Sequence, residues 1–159
     1  YMLLEKDFES ILIGGHSRGG RMAIIYASQD SDISAVISIM GSLGGKKILK
    51  VNFTELSVSY RNLPNFINEK REYRVPAHLI RDAMNFSALD VVSKISVPLL
   101  LVAGELDTIV LPEEVKKAFD KANEPKKYIV IKDIGHNYRH SLDEIKKVND
   151  RIMEYVSSL

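Results

Sequence analysis

Four short apolar runs stand out along the chain: Ser10 to Ile13, Ala35 to Met40, Pro98 to Ala103 and Tyr128 to Ile131. Each is rich in Leu or β-branched residues and is apolar at consecutive positions rather than at every second one. A parallel strand covered by helices on both faces reads this way. Helical spacing fills the intervals. Met22, Ala23, Tyr26 and Ala27 recur on one face after the first run. Pro112 suits the first position of a helix, and Glu113 and Glu114 suit the positive end of its dipole. Val115, Ala118, Phe119 and Ala122 then form its apolar face. Ser141 and Glu144 make a capping box for a last helix, with Leu142, Ile145, Val148, Ile152 and Val156 as its stripe. The order strand, helix, strand, insertion, strand, helix, strand, helix predicts an α/β fold. Its sheet is mostly parallel and flanked by helices, with right-handed crossovers.

The insertion separates the second run from the third. It is longer than a plain crossover needs. One helix is expected to start near Pro76. The segment 44–95 reads equally as a small cap over a site or as an extended connection. Its aromatics, Tyr60, Phe66 and Tyr73, either line a pocket or pack the insertion itself.

Composition narrows the function classes. The chain has 159 residues, 45% of them hydrophobic, which is enough for one domain with its own core. Lys and Arg total 22 against 21 Asp and Glu, so no charge footprint points to nucleic acid or an anionic membrane. With no cysteine, a disulfide framework, a thiolate metal site and a Cys nucleophile are all excluded. No apolar run has transmembrane length, and no signal segment is visible at the start. The expected compartment is the cytoplasm, and no metal or organic cofactor is implied.

The candidate chemistry begins at Gly15-His16-Ser17-Arg18-Gly19, flanked by Gly14 and Gly20. A G-x-S-x-G string between a strand and a helix holds a serine on a sharp, strained turn. Side chains at positions 15 and 19 are expected to clash as the helix packs back on the strand. The serine hydroxyl then sits at a helix N-terminus, where N–H groups favour an anion. Neither a P-loop lysine nor a G-x-G-x-x-G pattern is present.

From this strand to its end the chain resembles the α/β-hydrolase family, in its serine esterase and peptidase-like branch. In that family an acid follows the strand after the cap, and a histidine follows the last strand. Here Leu99 to Ala103 runs into Gly104-Glu105-Leu106-Asp107, and Ile129 to Ile131 runs into Lys132-Asp133-Ile134-Gly135-His136. The resemblance implies Ser17 as nucleophile, Asp107 as acid and His136 as base, in the expected order Ser, Asp, His. Glu105 is the fallback acid and Asp133 a weaker one. His78 and His140 read as ordinary, and His16 needs no role. One oxyanion donor is implied at the backbone N–H of Arg18.

The implied activity is hydrolysis of a carboxylic ester through an acyl-enzyme, with a small-molecule ester or acyl compound as substrate. A peptidase, thioesterase or acyltransferase would carry the same residues. The segment Arg71 to Val102, with Arg81-Asp82-Ala83, is similar to feruloyl-type esterases and serine-peptidase-like relatives. The strands that precede the nucleophile strand in the family, and the loop supplying a second oxyanion donor, are missing here. Three explanations stand. The chain, which starts at Tyr1, is a fragment of a longer protein, and this is the favoured reading. Alternatively, another chain or a second copy pairs along Ser10–Ile13. Or the protein is a shortened, non-catalytic binding or scaffold relative.

Overall fold

The computed structural model describes residues 8–44, 56–63, 66–76, 78, 82 and 85–159, with the backbone alone over 56–63 and 66–70 and at 73 and 75. Four parallel strands form the main sheet: β1 (Ile11–His16), β2 (Ile33–Ile39), β5 (Leu99–Gly104) and β6 (Lys126–Ile131), in the order β1-β2-β5-β6. Among the described residues three α-helices accompany it: α1 (Arg18–Ala27), α2 (Pro112–Lys121) and α3 (Leu142–Val156). The expected parallel α/β architecture is therefore present. Among the described residues no helix is long and apolar enough to cross a membrane.

The sheet divides two cores. Leu99, Leu101 and Ala103 of β5 and Val36 of β2 pack with Ala23 and Ile24 of α1 and Val115 and Ala118 of α2. Leu100 and Val102 of β5 and Ile37 of β2 face the other way, against Val148 and Tyr155 of α3. Each fully buried Leu, Ile or Val among them contributes about 1.5–3 kcal/mol of transfer free energy. The apolar run in β5 is continuous because both of its faces are covered.

The two edge strands depart from that expectation. In β1, Ile11 and Ile13 pack on the first core, but Leu12 is 40% exposed. In β6, Val130 is 46% exposed. On the α3 side the core takes its sheet residues from β2, β5 and β6, and none from β1. β1 is thus paired on one edge only among the described residues.

The helices bear similar corrections. Helix α1 buries Gly20, Ala23, Ile24 and Ile25, whereas Met22 and Tyr26, expected on its apolar face, are 46% and 41% exposed. The face is set by close approach to β1 and β2, which the small residues allow. Pro112 does open α2. In α3, Ser141 Oγ accepts from the Glu144 N–H at 3.4 Å, but the Ser141 N–H donates to the Tyr138 carbonyl. Only half of the capping box forms, because a preceding turn already holds the N–H that Glu144 would have taken. Leu142 lies too close to the helix start to reach the core and is 84% exposed.

Within 44–95 the backbone forms an antiparallel hairpin, β3 (Leu56–Leu63) and β4 (Phe66–Pro76), as a second sheet. Pro76 closes β4. The helix expected from there falls largely on residues outside those described.

Candidate active site

Ser17 sits between β1 and α1 with φ 58° and ψ −118°, a left-handed conformation rare for a residue with a side chain. Three hydrogen bonds hold it there. Its N–H donates to the Ile39 carbonyl at 2.9 Å, and its carbonyl accepts from the N–H groups of Arg21 and Ser42 at 3.2 and 3.3 Å. Strain of this kind costs about 1–3 kcal/mol and persists only where the surroundings over-determine it.

The glycines make the turn possible, though not both of those expected. A Cβ at position 15 would fall on the backbone of Gly19, whereas one at position 19 would meet nothing within 4 Å. The second tight position is Gly20, where a Cβ would lie 2.6 Å from Ser38 Oγ and 2.9 Å from the Gly15 carbonyl oxygen. Neither Gly15 nor Gly20 has positive φ, so the demand is for space rather than for backbone freedom. Gly15→Ala is expected to cost about 1–3 kcal/mol or more, as overpacking against rigid backbone does. A thermal melt checks this. Gly19→Ala, which meets no neighbour, should melt close to wild type.

Asp107 ends the turn after β5 and is 2% exposed. Its Oδ1 accepts from the N–H groups of Ile109 and Val110 at 2.9 and 2.8 Å. Its Oδ2 is 2.7 Å from Nδ1 of His136. Nε2 of His136 is 3.0 Å from Ser17 Oγ. A carboxylate only accepts, so Nδ1 carries the proton and Nε2 presents its lone pair to the hydroxyl. The three side chains therefore form one directed chain: His136 Nδ1–H donates to Asp107, and the Ser17 hydroxyl donates to His136.

The loops that carry Asp107 and His136 are tied to each other. The N–H groups of Glu105 and Leu106 donate to the carbonyls of Ile131 and Ile134 at 3.0 and 2.9 Å. Glu105 Oε2 accepts from the Asp133 N–H at 3.0 Å. The Glu105 carboxylate is thus taken by the Asp133 backbone, the Asp133 carboxylate lies 4.0 Å from Lys147 Nζ, and Asp107 holds the position beside His136. Among the described residues no group of three or more His, Cys, Asp or Glu is placed to hold a metal ion.

Two further features bear on the site. Ser38 Oγ, fully buried behind the turn, has no hydrogen-bond partner among the described residues. His16 is the other. Its Nε2 lies 3.0 Å from the carbonyl oxygen of His136, and its ring centroid is 4.8 Å from that of His136. Burial, then the charge of Arg139, lower its pKa from 6.5 to about 4. The only sequence signal was adjacency to Ser17, which says nothing about contact with a loop 120 residues away.

Comparisons with known proteins complete the picture. Residues 2–157 match the family model for acetyl xylan esterase (AXE1). No curated protein matches the sequence. Among solved structures, the esterase domain of a Rhodothermus marinus protein superposes with a TM-score of 0.69 at 21% identity, over 97% of this chain and 64% of that one. A monoacylglycerol lipase from Paleococcus ferrophilus gives 0.74 at 20% identity, over 99% and 72%. Est1E from Butyrivibrio proteoclasticus, solved with ferulic acid bound, gives 0.68 at 23% identity, over 98% and 65%. The chain thus spans about two-thirds of the length of these structures, and at such identities they establish the fold alone. The family model covers nearly the whole chain, and the chain belongs to the acetyl xylan esterase family, an esterase-like branch of the α/β hydrolases.

Proposed function

We propose that the chain carries the catalytic triad of a serine esterase, which cleaves a carboxylic ester through an acyl-enzyme. The observation that carries this reading is the unbroken hydrogen-bond chain from Asp107 through His136 to Ser17. His136 Nε2 takes the hydroxyl proton as Ser17 Oγ attacks the ester carbonyl. Asp107 fixes the tautomer of His136 and stabilises the imidazolium that forms. His136 then gives its proton to the departing alcohol. Water, activated by the same Nε2, attacks the acyl-Ser17 ester and releases the acid.

The oxyanion of each tetrahedral intermediate needs N–H donors. Arg18 is the first residue of α1, so its N–H has no partner within the helix. It is the proposed first donor. A second donor comes from outside the elements described above. We assign the segment 44–95, whose described part includes the β3–β4 hairpin, as a small cap. The description of the matching family, acetyl xylan esterase, supports an acetyl ester as the substrate class. The open edge of β1, with Leu12 exposed, supports further strands pairing there, from the same polypeptide or from a second copy of the chain.

Mixing the protein with p-nitrophenyl acetate tests the acyl-enzyme. The expected result is a burst of p-nitrophenol approaching one equivalent per chain, followed by slower turnover, with an acetyl adduct on the Ser17 peptide after acid quench. Turnover with an adduct elsewhere, or none, would overturn the reading.

A further inference from the structure

We propose that His16 is a positioning residue, which grips the backbone of His136 and so sets the distance from the base to Ser17. The proposal rests on the esterase reading of the site. Its ground is geometric. His16 closes β1 and is the residue next to Ser17. Its Nε2–H donates to the carbonyl of His136 at 3.0 Å, an acceptor on the backbone of the base itself. The two imidazoles lie against each other at 4.8 Å with a 45° tilt, and the Tyr138 ring meets His16 edge-on at 5.2 Å. One turn therefore presents the hydroxyl and holds the group meant to deprotonate it. This tie runs from β1 directly to the His136 loop and bypasses Asp107. Asp107 orients the imidazole about its own axis through Nδ1, and His16 fixes where the loop places it.

The charge state of His16 suits the task. Burial, Arg139 and His136 oppose its protonation, while the hydrogen bond to the His136 carbonyl and the charge of Asp107 favour it weakly. Tyr138, the remaining titratable neighbour, is itself pushed up by burial and stays neutral. With a pKa of about 4, His16 is uncharged near neutrality and adds no repulsion as His136 becomes imidazolium. Between about 6.5 and about 4 the unfolded chain binds a proton that the folded chain refuses, so stability falls as pH drops through that window.

The test compares His16→Leu, which fills the space without a donor, with His16→Gln, whose side-chain amide can reach the same carbonyl. Three readouts are taken on the full chain: kcat and KM separately, the low-field proton of His136 Nδ1–H by NMR, and the melting temperature between pH 4 and 7. For His16→Leu the expected result is a fall in kcat approaching about 10²-fold at unchanged KM, as a misplaced reacting group causes. Its low-field proton is lost or broadened. His16→Gln restores most of both, and either variant loses less stability than wild type below pH 6.5. If His16→Leu keeps the wild-type kcat and the low-field proton, His16 positions nothing and the proposal is overturned. Should His16→Leu fail to fold, His16→Asn replaces it, because its shorter amide cannot reach. If the wild type turns over no ester, the esterase reading fails, and the NMR comparison alone still decides whether His16 holds His136.

Discussion

Replacing Ser17 with alanine is expected to lower kcat by about 10⁶-fold, the loss seen when the nucleophile of a Ser–His pair is removed. The fold should survive. The three hydrogen bonds that hold position 17 all use its backbone, and alanine keeps them. Stability should therefore stay within about 0.5 kcal/mol of wild type. That combination distinguishes the esterase from a scaffold on the same fold, for which the hydroxyl would be immaterial. The effect is read as a ratio to wild type. A missing oxyanion donor lowers the wild-type rate by about 10²–10³ and shrinks the ratio by up to that factor. A residual rate within tenfold of wild type would mean that hydrolysis, where observed, does not pass through Ser17.

Asp107→Asn is the second large effect, with an expected loss of about 10⁴ in kcat. The size follows from the hydrogen bonds around the carboxylate. Oδ1 accepts from two backbone N–H groups, so the asparagine oxygen must take that side. The amide NH2 then faces Nδ1 of His136, which can only accept from it. The proton moves to Nε2, where it points at the Ser17 hydroxyl, and the base is lost while the loop stays in place. Glu105→Gln gives the contrast. Glu105 binds the Asp133 N–H and does not touch His136, so turnover should remain near wild type. Equal losses in the two variants would return Glu105 to the position of acid. Steady-state kinetics with p-nitrophenyl acetate reads both.

Much of this molecule was legible in its sequence, for identifiable reasons. β5 is covered on both faces, and a strand so placed leaves a continuous apolar run that periodicity detects. Pro112 and its acidic neighbours announce a helix start through fixed φ and the dipole. The meeting of Ser17, Asp107 and His136 was legible because each lies just past a strand end, and parallel strands bring their carboxyl ends to one end of the sheet. What stayed hidden depends on depth of packing or on other loops. Met22 and Leu142 fit helical stripes, yet helix docking leaves them exposed. Gly15 and Gly19 look symmetric in the motif, but only Gly15 faces backbone, and Gly20 was the second tight residue. The alternation of Leu56, Val58 and Tyr60 with polar residues did mark β3, but it was lost inside a polar insertion. His16 gave no pattern at all, since its partner lies on a loop 120 residues away.

The central claim is that Ser17 is an activated nucleophile, and covalent labelling tests it most directly. The protein is treated with a fluorophosphonate, which phosphonylates a serine activated by a neighbouring base. Intact mass and peptide mapping then locate the adduct. The account predicts a single adduct on Ser17, absent from Ser17→Ala and much slower in Asp107→Asn. A chain that stays unlabelled while folded, or that labels equally in Ser17→Ala, would contradict it.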